Sequence, residues 1–193
     1  MNKLGCGALA VLLAFGAENA QSSVLYAFEE TGSGVVGAFS GTVDLTDADL
    51  IAGGSIGDSI QIAPKVAELV NIAGFVDAYA ISGPSSFGSE SATGAVATSA
   101  TSADGPLFGL SGIASELYLP RGYTSGDPLS GGLTFAGANF AGLGITSGVY
   151  VFSLPNDTVT LRFGPAAIIP LPATLPLLLG ALGLAALATR RHA

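Results

Sequence analysis

Apolar residues between positions 24 and 163 come in short runs broken by Gly, Pro, Asn or Asp, and this punctuation limits the fold more than any other feature. A helix needs about ten uninterrupted residues with apolar positions three or four apart, whereas a strand needs only about four to eight that alternate. Residues 24–29 read as a first strand, Gly32-Ser33-Gly34 as a turn and residues 35–45 as a second strand. Residues 59–63 form a short strand stopped by Pro64, and residues 75–82 another, ended by Gly83-Pro84. Residues 92–101, 107–110, 115–119, 131–135, 148–154 and 158–163 have the same character. Residues 65–73, KVAELVNIA, set Val66, Leu69, Val70 and Ala73 on one helical side and read as a helical turn or as one more strand. The expectation is an all-β body over residues 23–165, a single antiparallel β-sandwich or flattened barrel, with no alternating helices to build a parallel α/β sheet.

Both ends of the chain differ from this middle. After Lys3, residues 4–17 are small or apolar, and Ala20-Gln21-Ser22 satisfies the small-x-small rule, so residues 1–22 read as a secretory signal peptide with a short apolar helix. Its partners would be the Sec translocon and signal peptidase. The sole cysteine, Cys6, leaves with it, and the exported form then has neither disulfide nor thiol. At the other end, Pro170, Pro172 and Pro176 enforce an extended entry because each lacks an amide donor and pushes its predecessor out of the α region. An uncharged Leu, Ala and Gly segment follows, then Arg190 and Arg191, a positive-inside stop. A helix over about residues 174–189 would enter the membrane, shorter than the roughly 20 residues a permanent span requires; bilayer thinning meets the deficit.

Ile169-Pro170-Leu171-Pro172-Ala173, the leucine-rich span and Arg190-Arg191 together resemble the VPLPA-CTERM variant of the PEP-CTERM sorting signal, with Ile169 where valine is usual. Leu171-Pro172-Ala173-Thr174-Leu175 also nearly spells the LPxTG signal, but Leu175 stands where that signal requires glycine. The first resemblance implies an exported protein of Gram-negative bacteria, inserted in the inner membrane as a precursor, recognised by an exosortase over residues 166–193 and delivered to the cell surface or medium among exopolysaccharide. Within the middle, Gly83-Pro84-Ser85-Ser86-Phe87-Gly88 and Leu117-Tyr118-Leu119-Pro120-Arg121-Gly122-Tyr123-Thr124-Ser125-Gly126 resemble segments of the ectodomains that precede this signal. Val151-Phe152-Ser153 stands where those ectodomains carry tryptophan.

Charge and residue types exclude several chemistries. Residues 24–165 hold thirteen acids against Lys65, Arg121 and Arg162, a net charge of −10 that repels nucleic acid. The only histidine, His192, follows the apolar tail, so no Ser-His-Asp, Cys-His or zinc constellation forms in the body, and no catalytic residue or cofactor is assigned. Gly32-Ser33-Gly34-Val35-Val36-Gly37 spells GxGxxG, but a strand follows it where a phosphate loop needs a helix. Asp44, Asp47 and Asp49 are calcium candidates by their hard oxygen ligands, although the glycine and distal glutamate of an EF-hand are missing. Glu116 is the acid deepest within an apolar run. Tyr118, Tyr123, Phe135, Phe140, Tyr150 and Phe152 read as core or strand-end packing. The expected role is that of a non-enzymatic surface or matrix protein, the alternative a secreted carbohydrate- or calcium-binding module on the same anchor.

Overall fold

The computed structural model describes residues 23–57, 60–88 and 97–165. The signal peptide expected over 1–22 and the sorting signal expected over 166–193, with its helix and Arg190-Arg191, lie outside the described residues. Those described form an all-β body of two sheets. In chain order the strands are β1 (Ser23–Thr31), β2 (Gly34–Gly41), β3 (Leu50–Ile56), β4 (Gln61–Ala63), β5 (Glu68–Val70), β6 (Gly74–Ala80) and β7 (Thr98–Ser99). β8 (Ser102–Asp104), β9 (Gly109–Ser111), β10 (Glu116–Pro120) and β11 (Leu129–Ala136) follow, then a single helical turn α1 (Phe140–Leu143), β12 (Gly148–Ser153) and β13 (Thr158–Phe163). One sheet runs β12-β13-β1-β2-β11-β8 and the other β3-β6-β10-β9-β5-β4-β7.

Alternation in sequence becomes burial on one face. Val24, Tyr26 and Phe28 of β1 are buried while Leu25 and Glu29 between and beyond them are exposed; Leu117 and Leu119 of β10 do the same in the second sheet. The inner faces share one core. Tyr26 stacks on Phe28 at 4.5 Å between ring centroids, Phe28 on Phe163 at 4.9 Å, and Phe39 meets Phe108, beside β9, at 5.0 Å. Each such side chain, fully buried, contributes about 1.5–3 kcal/mol, and the offset ring contacts add to that. Gly37 makes room for this stack, since a Cβ there would lie 2.2 Å from the Phe28 ring.

Three departures from the sequence reading have physical causes. The sheet holding β1 is mixed, because β1 runs antiparallel to β2 but parallel to β13, in register from Ser23 opposite Thr158 to Phe28 opposite Phe163. The second strand ends at Gly41 instead of residue 45: Gly41 sits at φ 141°, where any Cβ would lie 2.0 Å from the Ser23 carbonyl oxygen, and the chain leaves the sheet there. Residues 65–73 form a 3₁₀ turn over Pro64–Val66, a left-handed Ala67 at φ 46°, and then β5. The strand prevails because Leu69 pairs between Ile62 and Leu110 in the core, and Asn71 then fixes the exit. The fully buried Asn71 amide donates to the carbonyls of Asp104 and Pro106, while its oxygen accepts from the Phe108 N–H at 2.6 Å. Of the strand expected over 92–101, residues 97–101 are described, and among them only Thr98–Ser99, β7, is strand.

Tyr26 sits at the centre of the core with its hydroxyl buried and without a hydrogen-bond partner among the described residues. Burial first, and the charge of Asp104 second, push its phenol far above the usual range. An unsatisfied buried hydroxyl costs about 1–3 kcal/mol, so Tyr26→Phe raises unfolding free energy by about 1 kcal/mol in denaturant titrations. A phenol neutral in the fold holds stability that is present below its unfolded value and lost as alkali ionises the unfolded chain first. The variant therefore also loses less stability than the parent above about pH 10.

Candidate functional site

The acidic loop singled out by sequence leaves the first sheet where β2 stops. Asp157, in the turn between β12 and β13, is buried and receives that loop: its Oδ2 accepts from the Asp44 N–H at 2.7 Å and its Oδ1 from the Thr158 N–H at 2.6 Å. Asp44 in turn folds back on its own loop, its Oδ1 accepting from the Thr46 N–H at 2.8 Å and from the Ser125 hydroxyl at 3.2 Å. Those hydrogen bonds, Thr46 foremost, hold the exposed Asp44 carboxyl below the usual carboxylate range. Asp47 takes the left-handed conformation at φ 59°, and the Asn156 amide donates to the Thr46 carbonyl at 2.8 Å and to Asp47 Oδ2 at 3.4 Å. Asp49 contributes its backbone carbonyl to the Ala80 N–H at 2.9 Å. Tyr123 completes the corner, its hydroxyl accepting from the Val43 N–H and donating to the Asp127 carbonyl.

This corner therefore works as a clasp between the loop after β2 and the turns before β11 and β13. The three aspartates are not brought together. Among the described residues no group of three or more His, Cys, Asp or Glu side chains is arranged to hold a metal ion.

A second acidic row was hidden by the ambiguous reading of residues 65–73. Once Glu68 lies on β5, strand register aligns Glu116, Ser111 and Glu68 across three strands on one face of the second sheet. The Tyr118 hydroxyl donates to Glu116 Oε2 at 2.8 Å, and the Gln61 amide donates to Glu68 Oε1 at 2.7 Å. Burial, then the hydrogen bond to Glu116 and the charges of Glu116 and Glu68, push the Tyr118 phenol well above its ordinary range. Two intervening strand spacings of about 4.8 Å hold the two carboxylates apart, with the buried Ser111 between them.

A groove of about 740 Å³ crosses β2, β11 and β8, floored by Gly131 and Gly132 and bordered by Ser102, Asp104, Ser130 and Thr134. Gly132, on the same strand face as Ser130 and Thr134, removes the side chain that would fill it, leaving one carboxylate and three hydroxyls around its backbone. Sequence offered no sign of it, because its lining comes from three strands distant in the chain. The six aromatics read as packing are so placed: Phe135, Phe140 and Phe152 are buried, and the half-buried Tyr118, Tyr123 and Tyr150 donate their hydroxyls to Glu116, Asp127 and Thr146. No family model, curated protein or solved structure matches this chain.

The clasp makes a testable demand. Asp157→Ala removes the acceptor of the Asp44 and Thr158 N–H groups, and hydrogen bonds to a charged group are worth about 1.5–3 kcal/mol. A loss of stability of that order in denaturant titrations, with faster amide exchange at Asp44, is the expected outcome.

Proposed function

We propose that this chain is an exported, non-enzymatic surface or extracellular-matrix protein. A secretory signal over residues 1–22 carries out a β-sandwich body, residues 23–165, and an exosortase-type signal over 166–193 sorts it in an exopolysaccharide or biofilm setting. The observation that carries this reading is the three-part tail, in which Ile169-Pro170-Leu171-Pro172-Ala173, an uncharged leucine-rich span and Arg190-Arg191 follow in order. The body supports it in two ways. Its rings are spent on the core, as in the Tyr26, Phe28 and Phe163 stack, and its loop acids are spent on holding turns together, as Asp44 and Asp157 do. A body held by apolar packing also suits a chain whose one cysteine leaves with the signal peptide.

The groove over Gly131 and Gly132 favours a second reading, a carbohydrate-binding module on the same anchor. Hydroxyls and one carboxylate on one strand face are groups that hydrogen-bond a sugar's hydroxyls. Under that reading, isothermal titration with the host's exopolysaccharide gives saturable binding that Thr134→Arg abolishes. Absence of such binding leaves the matrix role as stated.

The primary reading is tested by intact-mass measurement of the exported protein from cells with and without the candidate exosortase. The expected result is a form lacking the residues beyond the proline motif only when the enzyme is present. A product still ending at Ala193 in both strains removes the proposal.

A further inference from the structure

Four strands end the two sheets, and three of them are protected. β7 and β8 are two and three residues long, too short to template another chain. β12 is flanked by the segment Ser82 to Gly88: Ser82 and Ser153 exchange backbone hydrogen bonds at 3.0 and 2.7 Å, the Thr146 N–H donates to the Phe87 carbonyl at 3.0 Å, and Phe87 packs on Tyr150. Among the described residues β3 is neither short nor flanked by another segment, and its ladder is irregular only at the bulge between Leu50 and Ala52. Its seven residues, LIAGGSI, are exposed almost throughout, with Leu50 at 58% and Ile51 at 50%, and they include no charge and no proline.

Hydrogen-bond polarity shows which groups β3 offers. Phe75 of β6 gives its carbonyl to the Arg121 N–H on the β10 side, so its register partner Ser55 is in a non-hydrogen-bonded pair. Ser55, and by alternation Gly53, therefore turn both N–H and C=O away from the sheet. A twofold axis through Gly53 sets Ala52 against Gly54, small residues in the middle, and brings the apolar Leu50, beyond the bulge at Ile51, towards Ile56 at each end. The strand is thus complementary to itself when antiparallel. Charge does not oppose the same partner at this strip: on a chain of net charge −8 the strip itself is neutral, and Asp77 of β6 lies 4.0 Å from the Arg121 guanidinium. That guanidinium also donates to the Gly54 carbonyl and covers the exposed Phe75 ring at 4.9 Å, closing the flank with a cation.

We propose that β3 pairs with β3 of a second copy, antiparallel about Gly53, joining two seven-stranded sheets into one. Such a pair is isologous and closes on itself. One strand edge with a few side chains lies below the roughly 800 Å² per partner of a stable interface, so the dimer is weak and forms where the protein is concentrated.

Cross-linking of the full chain in detergent micelles tests this, with Cys6→Ser in every variant. Gly54 has no atom within 4 Å of a built Cβ, and Ala52 is exposed, so cysteine fits at either place. The register predicts that a mixture of Ala52→Cys and Gly54→Cys copies oxidises to a disulfide dimer at least about tenfold faster than either variant alone, by effective concentration. Adding Ser55→Pro, which removes an outward donor and leaves the β6 ladder intact, abolishes the difference; its melting curve is compared with the parent's. Equal rates in mixture and single variants, no cross-link at all, or a natively melting Ser55→Pro form that still cross-links selectively would each overturn the proposal.

Discussion

The side-by-side pairing of β1 with β13 is the constraint on which the rest depends. It brings the first and last strands of the described body together, and only then do Phe28 and Phe163 stack. Contacts between residues so far apart in the chain incur a large loop-closure entropy before they return anything. The aromatic stack is what repays it, since each ring removed from water stabilises the fold by a few kcal/mol. The clasp at Asp157 lies on the same seam: the turn that delivers β13 to β1 also accepts the Asp44 N–H from the loop after β2.

What could be read in advance follows from how each element is stabilised. β1, β6, β10, β11, β12 and β13 stand near where alternation placed them, because each has one face in the core and one in water, and that asymmetry is written into period-two patterning. β3 was missed for the opposite reason. Both its faces are exposed, so Leu50, Ile51 and Gly53 carry no periodic signal, and only its ladder with β6 defines it. Residues 65–73 were ambiguous because Val66, Leu69 and Val70 suit either period, and the choice fell to long-range pairing with β4 and β9.

The candidate site was legible only in part. Local spacing exposed Asp44, Asp47 and Asp49 as a cluster, but the partners that consume their hydrogen bonds, Ser125, Asn156 and Asp157, come from more than seventy residues away. The groove over Gly131 and Gly132 is likewise a product of register, with β8 and β2 supplying its borders. The tail motif is different in kind: the resemblance rests on the order of its residues along the chain, which is legible without a fold.

Parallel pairing of β1 and β13 has one mechanical consequence. The chain comes in at Ser23 beside Thr158 and goes out past Phe163 beside Phe28, at opposite poles of the same two strands. Tension applied between Ser23 and Phe163 would slide these strands lengthwise past each other instead of peeling them apart. Every rung of the ladder then bears the pull at once, the shear geometry in which a sheet resists force best.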